Sequence, residues 1–204
     1  MKFQITLITF LIGCITFVSC ERGDQMIETV LLDEGTMEPT DMVDMTEMSD
    51  APATGPSVVI NELMADNDAI IADPQGDFDD WLELHNLTDS PITLTGMYLS
   101  DKEDNPTKWE FPENTEILAN GYLIVWLDED HDNEDATEGL HANFKLSKGG
   151  ETVTLVDTDA NGNQVLDSIT FEEQETDVAF GRIPNGTGEF QVVKATPGAE
   201  NSVQ

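Results

Sequence analysis

Asp73, Asp77, Asp79 and Asp80 fall within eight residues of a stretch that also holds Pro74 and Gly76, and Asp66 and Asp68 stand just before it. Hard oxygen ligands crowded on a flexible loop suit Ca²⁺, which takes about six to eight of them. Carboxylates held this close repel one another, and a cation relieves that repulsion. The competing reading is a solvated acidic loop whose Asp side chains cap turns through nearby backbone amides. A second, weaker metal candidate is Asp157-Thr158-Asp159-Ala160-Asn161-Gly162, where Asp157, Asp159 and Asn161 match the first, third and fifth positions of an EF-hand loop and Gly162 the sixth. Ser168 stands at the twelfth position, where a bidentate Glu is expected, so a hairpin turn is favoured there. The acidic run from Asp128 to Asp135 has the character of a solvated like-charge segment.

Catalytic chemistry finds little support in the residues. His85, His131 and His141 are the three histidines, and none lies in a His-Glu-x-x-His pattern. No Gly-x-Ser-x-Gly elbow or phosphate-cradling glycine loop occurs. Asp77, Asp79 or Asp80 can be assigned as acid and base of a hydrolase acting on an extracellular polymer. In a chain with 42 acidic residues, however, carboxylate pairs arise everywhere and carry little information. No catalytic residue is expected, and His85 is expected to be packed or at a rim.

The elements that must position these residues are short β-strands. Gly76 to Asn86 runs from the acidic turn into an alternating strand, with Trp81, Glu83 and His85 on one face and Leu82, Leu84 and Asn86 on the other, as on a half-buried sheet. Further strands are predicted at 58–64, 97–100, 108–111, 122–127, 152–157, 165–171, 178–183 and 190–193. Turn pairs stand between them: Asn120-Gly121, Gly149-Gly150, Asn161-Gly162 and Asn185-Gly186. The apolar run Tyr122 to Leu127 predicts a central strand covered on both faces, whereas Val153 and Leu155 alternate with Thr152 and Thr154 as in a strand with one wet face. No stretch offers an amphipathic helix of useful length. An all-β sandwich with one core, containing Trp81, Trp109, Phe144, Phe171 and Phe180, follows for residues 57–204.

The chain before this domain has a different texture. Residues 1–20 hold no acid and one base, Lys2, with an apolar run from Ile5 to Val18, which is the layout of a signal peptide. The run ends at Ser19-Cys20 and turns polar at Glu21, resembling a lipobox whose Cys20 is lipidated. Leu11-Ile12-Gly13-Cys14 is the better local match, but cleavage at Cys14 would leave an apolar stub, so Cys20 is preferred. A plain cleaved signal or an uncleaved anchor are the alternatives. Residues 21–56 carry ten acids, one base and no aromatic residue, and so cannot bury enough apolar surface to order themselves. As a flexible acidic tether this stretch would span roughly 30 to 36 Å.

Within 57–204, the runs Val59-Ile60-Asn61-Glu62-Leu63-Met64-Ala65, Gly76 to Asn86, Leu94 to Asp101, Lys108-Trp109-Glu110-Phe111-Pro112, Phe144-Lys145-Leu146-Ser147, Phe180-Gly181-Arg182 and Thr196-Pro197-Gly198-Ala199 resemble a lamin tail domain. The resemblance is strongest to its bacterial branch of secreted and envelope proteins. It implies an immunoglobulin-like β-sandwich that acts as a non-catalytic interaction or anchoring module.

DNA contacts known for nuclear members are not carried over, because the formal charge of this chain is -34 and nucleic-acid binding rests on Lys and Arg displacing counterions. The expectation is therefore an exported lipoprotein of the cell envelope, held to the membrane by its lipid anchor. Its partner would be an envelope or extracellular protein or polysaccharide, with no required cofactor and calcium as a candidate ligand.

Overall fold

The computed structural model describes residues 56–129 and 138–204. Cys14, Cys20, the tether up to residue 55 and most of the acidic run after Asp128, including His131, lie outside the described residues. The described chain forms thirteen strands: β1 (Val58–Met64), β2 (Asp80–Asn86), β3 (Ile92–Thr93), β4 (Tyr98–Ser100), β5 (Trp109–Glu110), β6 (Glu116–Ile117), β7 (Tyr122–Leu127), β8 (His141–Ala142), β9 (Gly150–Val156), β10 (Val165–Glu172), β11 (Ala179–Ile183), β12 (Glu189–Lys194) and β13 (Ser202–Val203). A single 3₁₀ turn, Asp159–Asn161, joins β9 to β10. Among the described residues no helix is long and apolar enough to cross a membrane.

Two sheets make the sandwich. One runs β13-β12-β11-β1-β2-β7-β8 and the other β10-β9-β4-β5, with β3-β6 as a small ribbon. Every pairing is antiparallel except β7 with β8. Alternation decides which side chains fill the space between the sheets. Ile60, Leu63, Leu82, Leu84, Val125 and Leu127 from the larger sheet join Leu99, Phe111, Val153, Leu155 and Phe171 in one buried cluster.

All nine predicted strands are present, within one to two residues at their ends. The four that the sequence did not predict, β3, β6, β8 and β13, have two residues each, too few to show a period. Three other expectations need correction. β2 is not half-buried, because Trp81 through Asn86 are all buried. In β7 the first three residues are only partly covered, although the strand lies inside its sheet.

The apolar side chains do not form one core either. Met64, Trp81, Trp126, Ala179 and Val193 make a second cluster separate from the first. These residues lie on the opposite face of the large sheet, where Met64 pairs with Trp81 and Trp81 with Trp126. Trp81 therefore belongs to the second cluster, while Trp109 and Phe180 only flank the first.

The exposed edges are short or charged. β13, β8 and β5 have two residues each. β10 is longer, but it carries a bulge between Val165 and Asp167, and Asp167 turns inward toward Ile60. Bulges and inward charges on an edge strand oppose pairing with a second chain.

Candidate functional site

The loop between β1 and β2 is built from its own polar side chains. Asn67, buried to 4% exposure, accepts from the amide of Ile70 at 3.1 Å and donates to the carbonyls of Ile71 at 2.7 Å and Asp79 at 2.8 Å. That one amide group pins the two flanks of the loop together. Inside it, Oδ1 of Asp73 accepts from the amides of Gln75, Gly76 and Asp77 at 2.9, 2.7 and 2.8 Å. Gly76 has φ +101°, a conformation that side chains rarely adopt, which is what lets three successive amides turn onto one oxygen. Asp177 accepts from the amides of Asp68 and Ala69, and Asp66 is held by Lys148 and Thr176. The Lys148 ammonium keeps the Asp66 carboxyl below its usual range.

The four carboxylates read as calcium ligands are thus neighbours with different employments. Asp73 caps its own turn, and Asp80 accepts from the Leu146 amide at 3.0 Å. Burial pushes Asp80 up to about 7 and also raises Asp79, to which nearby Asp128 and Asp73 add repulsion. Asp77 is exposed. Among the described residues no group of three or more His, Cys, Asp or Glu is placed to hold a metal ion. The second candidate closes on itself: Asn161 donates to both oxygens of Asp157 at 3.0 Å, and Asp159 accepts from the Tyr98 hydroxyl at 3.3 Å. With Gly162 at φ +79°, this is the turn of the β9–β10 hairpin.

A second polar constellation, which the sequence reading did not single out, lies on the outer face of the large sheet. A bulge between Ile60 and Glu62 turns Asn61 and Glu62 to that face, next to Glu83 of β2. All three side chains are fully buried. They are covered by the segment 196–201, which passes over them between β12 and β13. Glu62 accepts from the Thr196 amide at 3.0 Å and hydroxyl at 2.8 Å, and Glu83 accepts from the Gly198 amide at 2.5 Å and from Asn61 at 3.0 Å.

The carboxylates therefore act as fasteners for a backbone strap. Burial lifts Glu62 and Glu83 each to about 7, against the pull of these donors, and the neighbouring Glu62 raises Glu83 further.

The same network explains His85. It stacks on Tyr122 at 4.4 Å with its Nδ1 3.2 Å from Asn185, and burial lowers its pKa. Asn185 donates to the Tyr122 hydroxyl at 3.0 Å, and its carbonyl accepts from the Asn201 amide at 3.0 Å. The amide of Gly186 donates to Asn61 at 2.9 Å, in a space where a Cβ would meet Leu87 at 2.4 Å. His85 is a packed residue, as the sequence suggests.

His141 contacts Asp128 at 2.6 Å through Nδ1. Both sit beside the 73–77 loop, whose Gln75 donates to the Glu138 carbonyl at 3.2 Å.

Comparison with curated proteins finds no match. A family model described as Lamin Tail Domain matches residues 51–173, more than half of the chain. The matched stretch ends just past β10, so β11 to β13 and the strap lie beyond it. The family's domains are immunoglobulin-like and non-enzymatic, and the two-sheet, all-β architecture agrees with the first of these. On these grounds the chain belongs to the lamin tail domain family.

Proposed function

We propose that the protein is a lipid-anchored interaction module of the cell envelope, in which an acidic tether carries a β-sandwich that meets a protein partner through pre-ordered loops. The observation that carries this reading is the use made of the polar side chains. Asn67, Asp73, Asp177, Glu62 and Glu83 are spent on holding backbone in place. A loop ordered in advance loses little entropy on binding, which suits a recognition surface at the end of a sandwich.

Membrane attachment rests on the Cys20 lipobox. Substituting Cys20→Ser is expected to abolish incorporation of labelled palmitate and to release the protein into the soluble fraction, while Cys14→Ser leaves both unchanged. The opposite pattern would move the modification to Cys14. Cross-linking on intact cells should then retrieve a defined protein partner, and a lipoprotein that cross-links to nothing would be a spacer instead.

No cofactor is needed for this role. Calorimetric melts in chelator and in millimolar CaCl₂ are expected to be equally cooperative with the same midpoint, because among the described residues no three of the loop carboxylates converge on one point. An ion bound at 100 times its dissociation constant would instead add about 2.7 kcal/mol. A rise of that size would make calcium part of the module, and its loss in Asp79→Asn with Asp80→Asn would place the ion in the β1–β2 loop.

A further inference from the structure

We infer that the β1–β2 loop is the recognition element of this module, with Phe78 and Ile70 as apolar anchors that pack against apolar side chains of a cationic protein segment. The inference rests on the interaction-module reading above and names the surface that does the work. Six large apolar side chains of the described residues are exposed, and two of them, Phe78 at 47% and Ile70 at 44%, share this one loop, rimmed by polar residues as interaction sites are. Neither is exposed through laxity of the chain. Ile70 donates its amide to the buried Asn67, whose side chain also holds the carbonyl of Asp79, the residue after Phe78. Ile71, beside Ile70, packs on the Trp81 and Trp126 cluster, so the outward direction of Ile70 is fixed from below. The two anchors thus flank one side chain that fastens both arms of the loop.

The chemistry of the partner follows from what surrounds them. Asp68 and Asp77 are exposed on the same loop, and Asp79 lies within electrostatic reach of Asp73, Asp77 and Asp128. The nearby bases are largely engaged: Lys148 is bound to Asp66, and one lysine, Lys145, faces Asp79. An anionic lipid surface would be repelled by this rim, and so would a phosphate backbone. A peptide segment that places Lys or Arg around apolar side chains is complementary at both levels: burial of the aromatic anchor supplies affinity and the charged rim supplies steering and register.

The test uses the full chain in a nonionic detergent and two fluorescein-labelled decapeptides of lysine and serine, identical except that one carries two central leucines. Anisotropy should show the leucine peptide binding at least tenfold more tightly than its leucine-free twin, with affinity falling as salt rises. Phe78→Ala and Ile70→Ser should each weaken the leucine peptide about tenfold, Phe78→Leu should restore most of the loss, and Val192→Ala, an exposed apolar residue of β12, should change nothing. Cooperative melting of every variant guards against loss of fold.

Equal binding of the two peptides, or binding indifferent to Phe78 and Ile70, overturns the loop assignment. Phe78-dependent adsorption to phosphatidylcholine vesicles containing phosphatidylglycerol, in place of peptide binding, overturns it in favour of lipid. In both cases the module itself stands or falls separately, on whether cross-linking retrieves a partner.

Discussion

Replacing Arg182 with alanine is expected to cost about 3 to 5 kcal/mol of folding stability, read as a fall in the urea midpoint at unchanged slope. The side chain ties two pieces of backbone to one carboxylate. Its Nη2 donates to both oxygens of Asp167 at 3.0 Å, its Nε to the Ile60 carbonyl at 2.8 Å, and its Nη1 to the Gly188 carbonyl at 3.0 Å, while the guanidinium lies 4.7 Å from the Phe190 ring. Asp167 in turn accepts from the Ile60 amide at 2.8 Å. This pair therefore satisfies both polar groups of Ile60, at the bulge where β1 loses register.

Removing the cation leaves a mostly buried carboxylate uncompensated and two carbonyls without their donor. Arg182→Lys should recover little, since an ammonium cannot reproduce the planar fork. In a double-mutant cycle, Asp167→Ala in the Arg182→Ala background should cost much less than it does alone. A loss below about 1 kcal/mol for Arg182→Ala would show that the two sheets are held without this bridge.

The second large effect is a dependence on pH that runs opposite to ordinary acid denaturation. Glu62 and Glu83 rise from 4.5 to about 7 on folding, and Asp80 from 3.8 to about 7. In that window the folded chain retains protons that the unfolded chain has released. The stability that these three groups contribute is therefore fully present below about pH 4 and is lost as pH climbs through 7. Each group contributes a slope of up to about 1.4 kcal/mol per pH unit within its window.

Melting temperatures at pH 5 should exceed those at pH 8. The general self-repulsion of a chain with formal charge -34 acts in the same direction, so the wild-type profile alone does not separate the causes. Glu62→Gln does. Its carbonyl can accept the Thr196 amide while its amide donates to the Thr196 hydroxyl, and it carries no titratable group. The variant should show a visibly shallower fall between pH 5 and 8, steeper again when salt is lowered. Profiles that stay parallel would mean that the strap is indifferent to the charge beneath it.

Much of the sheet architecture was legible because its signals are local. The alternation of Val153 and Leu155 with Thr152 and Thr154, and the Asn161-Gly162 pair that follows, are features of adjacent residues, and β9 with its hairpin is where they predict it. The two-residue strands were invisible for the same reason. A strand such as Ser202–Val203 is defined by its partner Val193–Lys194 and has no pattern of its own.

The loop carboxylates show the limit from the other side. Their crowding in sequence suggested convergence on an ion. Whether Asp73 points outward to a cation or inward to the amides of Gln75, Gly76 and Asp77 is a matter of backbone dihedrals that spacing does not encode.

Residue type and short-range period were enough for the class of fold, the places of the main strands along the chain and the strongly anionic surface, while the family came from the resemblance of whole runs such as Val59 to Ala65 and Gly76 to Asn86. Tertiary structure alone decided which acids matter. Glu83 alternates with apolar neighbours just as solvent-facing residues do, and Glu62 follows Asn61 with no sign of burial; a segment more than 110 positions further along the chain turns both into buried fasteners by laying Thr196 and Gly198 over them. Burial depends on what covers a face, and the cover comes from far away in the chain.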